Sequence, residues 1–205
     1  EGKSTTVANL AITTALMGVK TLLVDADLRR PVIHSLFGLD RESGMINTLV
    51  ERLSLERVIK HSGIESLDIL TCGAIPPNPS EILNSQRMRD LIAELSGKYD
   101  LVLFDSPPVL TVTDTCVLGS RVEGVVLVVS SHNTDRRALH RAKALLSNVK
   151  ANILGAVLNK IEISSLVGSY DYYYYHYYYY FDEDGQRKQR RRRIWDRVLS
   201  SRRRV

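Results

Sequence analysis

Five short apolar, largely β-branched runs recur along the first 160 positions, each ending in polar side chains. They are TLLVDAD (21–27), LDILTC (67–72), LVLFDSP (101–107), GVVLVVSS (124–131) and NILGAVLNK (152–160). Such runs read as strands buried on both faces, the mark of a parallel sheet. Between them lie stretches of helical periodicity at Ser4–Met17, Met45–Lys60, Ser80–Leu95 and Asp135–Asn148. Ser80 follows the turn sequence IPPNP, whose prolines forbid a preceding helix, and is the expected N-cap of the third helix. Strands alternating with helices through right-handed crossovers predict an α/β fold with a doubly wound, mostly parallel sheet. In such sheets ligands bind at the carboxyl ends of the strands, so the polar residues there are the candidates for chemistry. After Lys160 the alternation stops.

Composition narrows the class. A chain of 205 residues fits one domain of ordinary size, and 44% hydrophobic with 25% charged residues describes a soluble globular protein. No apolar run approaches the roughly 18 residues of a membrane-spanning helix. The chain opens on Glu-Gly-Lys-Ser, so no signal peptide is expected. Cys72 and Cys116 have no metal-ligand spacing and read as buried, reduced thiols, in keeping with a cytoplasmic compartment. The net charge of +5 is unevenly spread. Residues 186–205 hold ten of the 28 basic groups and one of the 23 acids, leaving 18 basic and 22 acidic groups in residues 1–185, a formal −4. Affinity for anionic partners is therefore a property of the tail, not of the domain.

Gly2-Lys3-Ser4 runs directly into a helix and matches the last three positions of GxxxxGK[ST]. In that P-loop pattern backbone N–H groups cradle phosphates, the lysine neutralises β/γ charge and the hydroxyl ligates Mg²⁺. The first glycine of the pattern and the strand that feeds it would precede residue 1, so the chain is read as a fragment truncated within its P-loop. The absent strand would lie near the sheet's centre. LLVDADLRRP sets Asp25 and Asp27 just beyond a buried strand, and LVLFDSPP does the same with Asp105. Desolvated carboxylates are costly without a cation or donor partner. Three of them at strand ends, together with Gly-Lys-Ser, form a constellation for magnesium and nucleotide.

EGKSTTVANLA, LLVDADLRRP and LVLFDSPP resemble the Walker A, A′ and B motifs of the bacterial tyrosine autokinases of capsular and exopolysaccharide synthesis. The likeness runs to about residue 180 and takes in CGAIPPNPSEIL, GAVLNKI and the tyrosine cluster SYDYYYYHYYYYFDED. It implies a Rossmann-like P-loop kinase domain over residues 1–163, with ATP and Mg²⁺ as cofactors. Gly2 would belong to the nucleotide-binding loop, Lys3 would hold the β/γ phosphates, and Ser4 would ligate Mg²⁺. Thr5 would contact the α-phosphate, and Asp105 would hold the metal's water shell. Asp25 and Asp27 would share two tasks, accepting the tyrosine proton and supporting Mg²⁺; Asp25 is favoured as the base, though spacing leaves the choice open. Asn159 stands where related P-loop ATPases touch the nucleotide base, or serves as an ordinary strand-end cap. The resemblance further implies a membrane chain-length-determinant or activator protein as partner, fused or separate. It also implies a homo-oligomer and a place at the inner face of the bacterial plasma membrane.

Nine of the ten tyrosines fall between Tyr170 and Tyr180. Within the tyrosine-rich segment 164–185 no apolar period explains them, and as a hypothesis they are the kinase's own substrate, which makes this an autophosphorylation segment. The acceptors would be Tyr170, Tyr172, Tyr173, Tyr174, Tyr175, Tyr177, Tyr178, Tyr179 and Tyr180, modified in trans. Beyond them, residues 186–205 continue as RKQRRRRIWDRVLSSRRRV after Gln186. Ile194, Trp195, Val198 and Leu199 share a helical face flanked by arginines, which fits an interfacial helix on an anionic membrane, although a solvated tail fits as well. Nucleic acid is not the expected partner. Two other readings stay open: an ATPase switch of the chromosome-partitioning and division-site class, and a nucleotide-binding module with degraded catalysis.

Overall fold

The computed structural model describes residues 1–131 and 133–161; the tyrosine cluster and the basic tail lie outside the described residues. The first helix, α1 (Lys3–Leu16), starts at Gly2, whose left-handed backbone (φ 92°) turns the chain into it. Its buried residues Ala8, Ala11, Ile12 and Ala15 recur at helical spacing, and three of the four are small enough to bring the helix axis close to the sheet. The strand β1 (Thr21–Asp25) follows and is buried throughout. After it come α2 (Ile33–Phe37), α3 (Met45–Glu51), α4 (Leu55–Val58), β2 (Ile59–His61) and β3 (Leu67–Leu70). The remainder is α5 (Pro79–Asn84), α6 (Gln86–Lys98), β4 (Leu101–Asp105), α7 (Asp114–Gly119), β5 (Val125–Ser130), α8 (Arg136–Asn148) and β6 (Ile153–Asn159).

β1 is central, paired in parallel with β3 on one side and β4 on the other. β2 adds an antiparallel edge beyond β3, giving the order β2-β3-β1-β4, while β5 and β6 pair in parallel as a second, two-stranded sheet. The strands thus come in two groups rather than one continuous sheet. Alternate residues of β1 face opposite sides. Leu22 and Val24 pack with Met45, Leu49, Leu83, Met88 and Leu95 of α3, α5 and α6, whereas the Thr21 hydroxyl lies 3.2 Å from that of Thr14 in α1. Helices on both faces make the fold doubly wound, as expected.

Several expected elements differ in detail. The span Met45–Lys60 is not one helix. Its chain leaves α3 at Arg52 in a left-handed conformation (φ 61°), forms the short α4 and ends as strand β2. Ser80 is not an N-cap: Asn78 holds that place, Pro79 is the first helical residue, and the Ser80 side chain turns to Asp114 instead. The span 80–95 is likewise split at Ser85, whose hydroxyl caps α6 by accepting the Met88 amide. Asp135 starts its helix as an N-cap, accepting the Arg137 amide. Cys72 is buried as expected, but Cys116 is only half-buried, and both thiols are free.

Leu22 is fully buried between α3 and α6. Leu22→Ala should therefore cost about 2–5 kcal/mol in urea unfolding; a loss below about 1 kcal/mol, the size of an ordinary surface effect, would remove β1 from the centre of the core.

Candidate functional site

The parallel register of β1 and β4 sets Asp25 beside Asp105. Their residues are 0% and 2% exposed. Asp25 Oδ2 accepts the Ile33 amide at 3.0 Å. Among the described residues, Asp25 Oδ1 and Asp105 Oδ2 are buried with no hydrogen-bond partner. An orphaned charged oxygen in such a place is expensive, so the proton-bound form is favoured. Burial is the main reason the Asp25 carboxyl rises from 3.8 to about 7; the Ile33 amide opposes it, and Asp105 and Asp27 add repulsion. Asp105 is also raised, first by burial, then by Asp27, against the pull of the Ser4 hydroxyl and the Lys3 ammonium. Ser4 is thus a hydrogen-bond partner of the Asp105 carboxyl, and the Lys3 charge is near enough to be felt there.

The loop after β1 is shaped around its acids. Asp27 Oδ1 accepts the amides of Arg29 at 3.2 Å and Arg30 at 2.9 Å, closing a turn over the strand end. Opposite lies the start of α1. Thr6 donates the first amide bond, to the Gly2 carbonyl at 2.9 Å. The amides of Lys3, Ser4 and Thr5 are those that helix geometry leaves without an internal acceptor, at the positive end of the dipole. No acidic residue occupies the helix's first turn. A Cβ on Gly2 would stand 2.5 Å from Asn159 Nδ2, so the turn is seated tightly against the end of β6. The Asn159 amide donates to the Glu1 carbonyl at 2.9 Å, and Lys3 pairs with the Glu1 carboxylate at 3.3 Å.

The structure thus gathers Gly2, Lys3, Ser4, Asp25, Asp27, Asp105 and Asn159 at one edge, with Thr5 exposed at the third helical position. Among the described residues no three His, Cys, Asp or Glu side chains form a self-sufficient metal cage. Two neighbouring carboxylates with orphaned oxygens and a hydroxyl suit a hard cation completed by ligand oxygens and water, which is how Mg²⁺ is usually bound. The site fits that ion. The sequence reading missed an ion pair beside it: Arg29 Nε donates to Asp114 Oδ2 at 2.8 Å. Arg29 was visible in LLVDADLRRP, but its partner is 85 residues away and no local pattern marks it.

The family described as AAA domain matches residues 1–163. The tyrosine-protein kinase YwqD of Bacillus subtilis is 44% identical over 164 residues, 80% of this chain and 69% of that protein. The putative tyrosine-protein kinase CapB of Staphylococcus aureus is 39% identical over 171 residues, 83% of this chain and 75% of that protein. This chain belongs to the bacterial tyrosine-protein kinase family. Among solved structures, the chimerical protein CapA2B2 superposes with a TM-score of 0.75 at 41% identity, covering 78% of this chain and 71% of that one. The septum site-determining protein MinD of Pyrococcus horikoshii, complexed with Mg-ADP, gives a TM-score of 0.64 at 27% identity, covering 77% and 64%. The shared fold is therefore the P-loop nucleotide-binding α/β architecture expected from the motifs.

The raised Asp25 pKa fixes a pH dependence. Between about pH 3.8 and 7 the folded chain keeps a proton that the unfolded chain releases. The stability this contributes is complete below the lower value and is lost as pH rises through the upper one. The full swing is about 4 kcal/mol. In metal-free melts, Asp25→Asn should gain on the wild type as pH rises from 5 to 7 and then level off. A difference that does not change with pH would show that Asp25 ionises as an ordinary carboxylate.

Proposed function

We propose that this chain is the catalytic part of an ATP- and Mg²⁺-dependent protein-tyrosine autokinase whose acceptors are its own tyrosines between Tyr170 and Tyr180. The observation that carries the reading is the orphaned Asp25–Asp105 pair facing the open start of α1 with Lys3 and Ser4. Phosphoryl transfer asks a protein mainly for positioning and charge neutralisation. The amides of Lys3, Ser4 and Thr5 and the Lys3 ammonium would hold the phosphates, with Gly2 giving the turn room. Ser4, Asp27 and Asp105 would hold Mg²⁺, which supplies neutralisation of the charge developing on the phosphoryl oxygens. Asp25, with a pKa of about 7, is poised to take the proton of a tyrosine hydroxyl whose own pKa is near ~10. Asn159, beside Gly2, would border the nucleotide.

The tyrosine cluster would reach the site of a neighbouring copy, so a homo-oligomer is part of the proposal. Each phosphate adds about −1.5 to −2 charges, and graded repulsion would loosen that assembly. Among the described residues no helix is long and apolar enough to cross a membrane. Attachment at the inner face of the plasma membrane would come from a chain-length-determinant partner, with residues 186–205 adding contact to anionic lipid. Polysaccharide polymerisation or export would be the process regulated.

The likeness to MinD supports a second reading, an ATPase switch whose acceptor is water. The two separate cleanly in the full-length protein. Incubation with Mg·ATP should place phosphate on residues 170–180 by mass spectrometry, and Lys3→Ala should lower it by about 10²-fold or more. Release of inorganic phosphate with unmodified tyrosines would favour the ATPase.

A further inference from the structure

Asp114, the first residue of α7, is completely buried, yet it is an acid. Its Oδ2 accepts Arg29 Nε at 2.8 Å, its Oδ1 lies 3.3 Å from Arg29 Nη2, and the Ser80 hydroxyl also donates to Oδ1. Arg29 Nη2 lies 3.3 Å from the Ser80 hydroxyl as well, closing the triangle. Arg29 belongs to the segment after β1, Ser80 to the one after β3, and Asp114 to the one after β4. β3, β1 and β4 are adjacent parallel strands, and the carboxyl ends of β1 and β4 carry the acids of the site. Arg29 is two residues from Asp27, and its own backbone amide is held by the Asp27 carboxylate. One side-chain triad therefore ties all three segments and ends, through one short turn, on Asp27.

We propose that Arg29, Asp114 and Ser80 form a clamp that positions Asp27 for cation binding, making them positioning residues of the phosphoryl-transfer site. The two ends of the Arg29 residue do different work. Its guanidinium is anchored to a buried acid across the sheet end, while its amide fixes which Asp27 oxygen points away from the turn. With Asp27 Oδ1 occupied by the Arg29 and Arg30 amides, Oδ2 is the oxygen left to reach a cation. Without the anchor the turn over β1 would have to hold itself, and its acids would choose their geometry by mutual repulsion. The charge state of the clamp agrees. Burial alone would raise Asp114, but the Arg29 and Ser80 bonds outweigh it and hold the carboxyl below the usual range. Asp114 thus stays ionised and keeps its grip on Arg29 across the working pH.

The proposal rests on the nucleotide-site reading, and the test separates the two. In the full-length protein, binding of a fluorescent ADP analogue would be titrated with Mg²⁺ for the wild type, Arg29→Ala, Arg29→Lys and Ser80→Ala, beside thermal melts. Arg29→Ala should raise the Mg²⁺ concentration for half-maximal binding by about tenfold or more, as loss of an outer-shell partner does. Arg29→Lys should recover part of this, and Ser80→Ala, which leaves the Arg29–Asp114 pair in place, should show a smaller rise. Whatever weak binding persists without Mg²⁺ should be the same in the wild type and all three variants. Variants that melt earlier but keep the wild-type Mg²⁺ requirement would overturn the clamp and leave it a stabilising contact only. If the wild type itself binds no Mg·ADP, the nucleotide-site reading fails and the clamp falls with it.

Discussion

Two carboxylates stand side by side at the ends of β1 and β4, beyond the reach of water, because the parallel register leaves them no other place. Much of the unit's local architecture can be traced to accommodating them. Asp25 and Thr21 fall on the same face of β1, and Thr21 meets α1, so the acid lies on the face that α1 covers. The small residues of α1 allow it to lie close to the sheet. Its N-terminus arrives at the strand ends with Lys3 and Ser4 beside Asp105. The Ile33 amide satisfies one oxygen of Asp25. Among the described residues, Asp25 Oδ1 and Asp105 Oδ2 are left without a hydrogen-bond partner.

This arrangement also bears on the form in which phosphates can enter. Lys3 and the open amides attract anions, but Asp25, Asp27 and Asp105 oppose a bare phosphate at the same edge. A cation shared between the acids and the phosphates resolves the conflict, and a proton on Asp25 resolves it only in part. Under the proposed function these acids would make phosphate binding depend on a metal. Residues 1–185 carry a formal −4, and the excess of basic groups is confined to residues 186–205.

The parallel strands were legible because each is an apolar run with a polar end, and the motif acids fell where those ends suggested. Helix boundaries were less so. Met45–Lys60 keeps a helical spacing of apolar residues, but the left-handed Arg52 and the pairing of Ile59–His61 with β3 divide it, and the pairing is a non-local contact. Ser80 looks like an N-cap after its prolines, yet the buried Asp114 takes its hydroxyl. Pro79, lacking an N–H, suits the first helical position, and Asn78 precedes it as cap. Of the site, Gly-Lys-Ser and the three acids could be read directly. The Arg29–Asp114 pair could not, since only the sheet order brings the loops after β1 and β4 together.

The central claim is that the buried Asp25 carboxyl, set beside Asp105 at the proposed cation site, gives up a proton when cation and nucleotide bind. Proton release on binding Mg·ADP tests it most directly, by calorimetry near pH 6 in buffers of different ionisation enthalpy. With the Asp25 pKa at about 7, most molecules carry the proton before binding. The account predicts release of close to one proton near pH 6, falling toward zero near pH 9 and absent in Asp25→Asn. Binding that releases no proton at pH 6, or releases the same number from the variant, would contradict it.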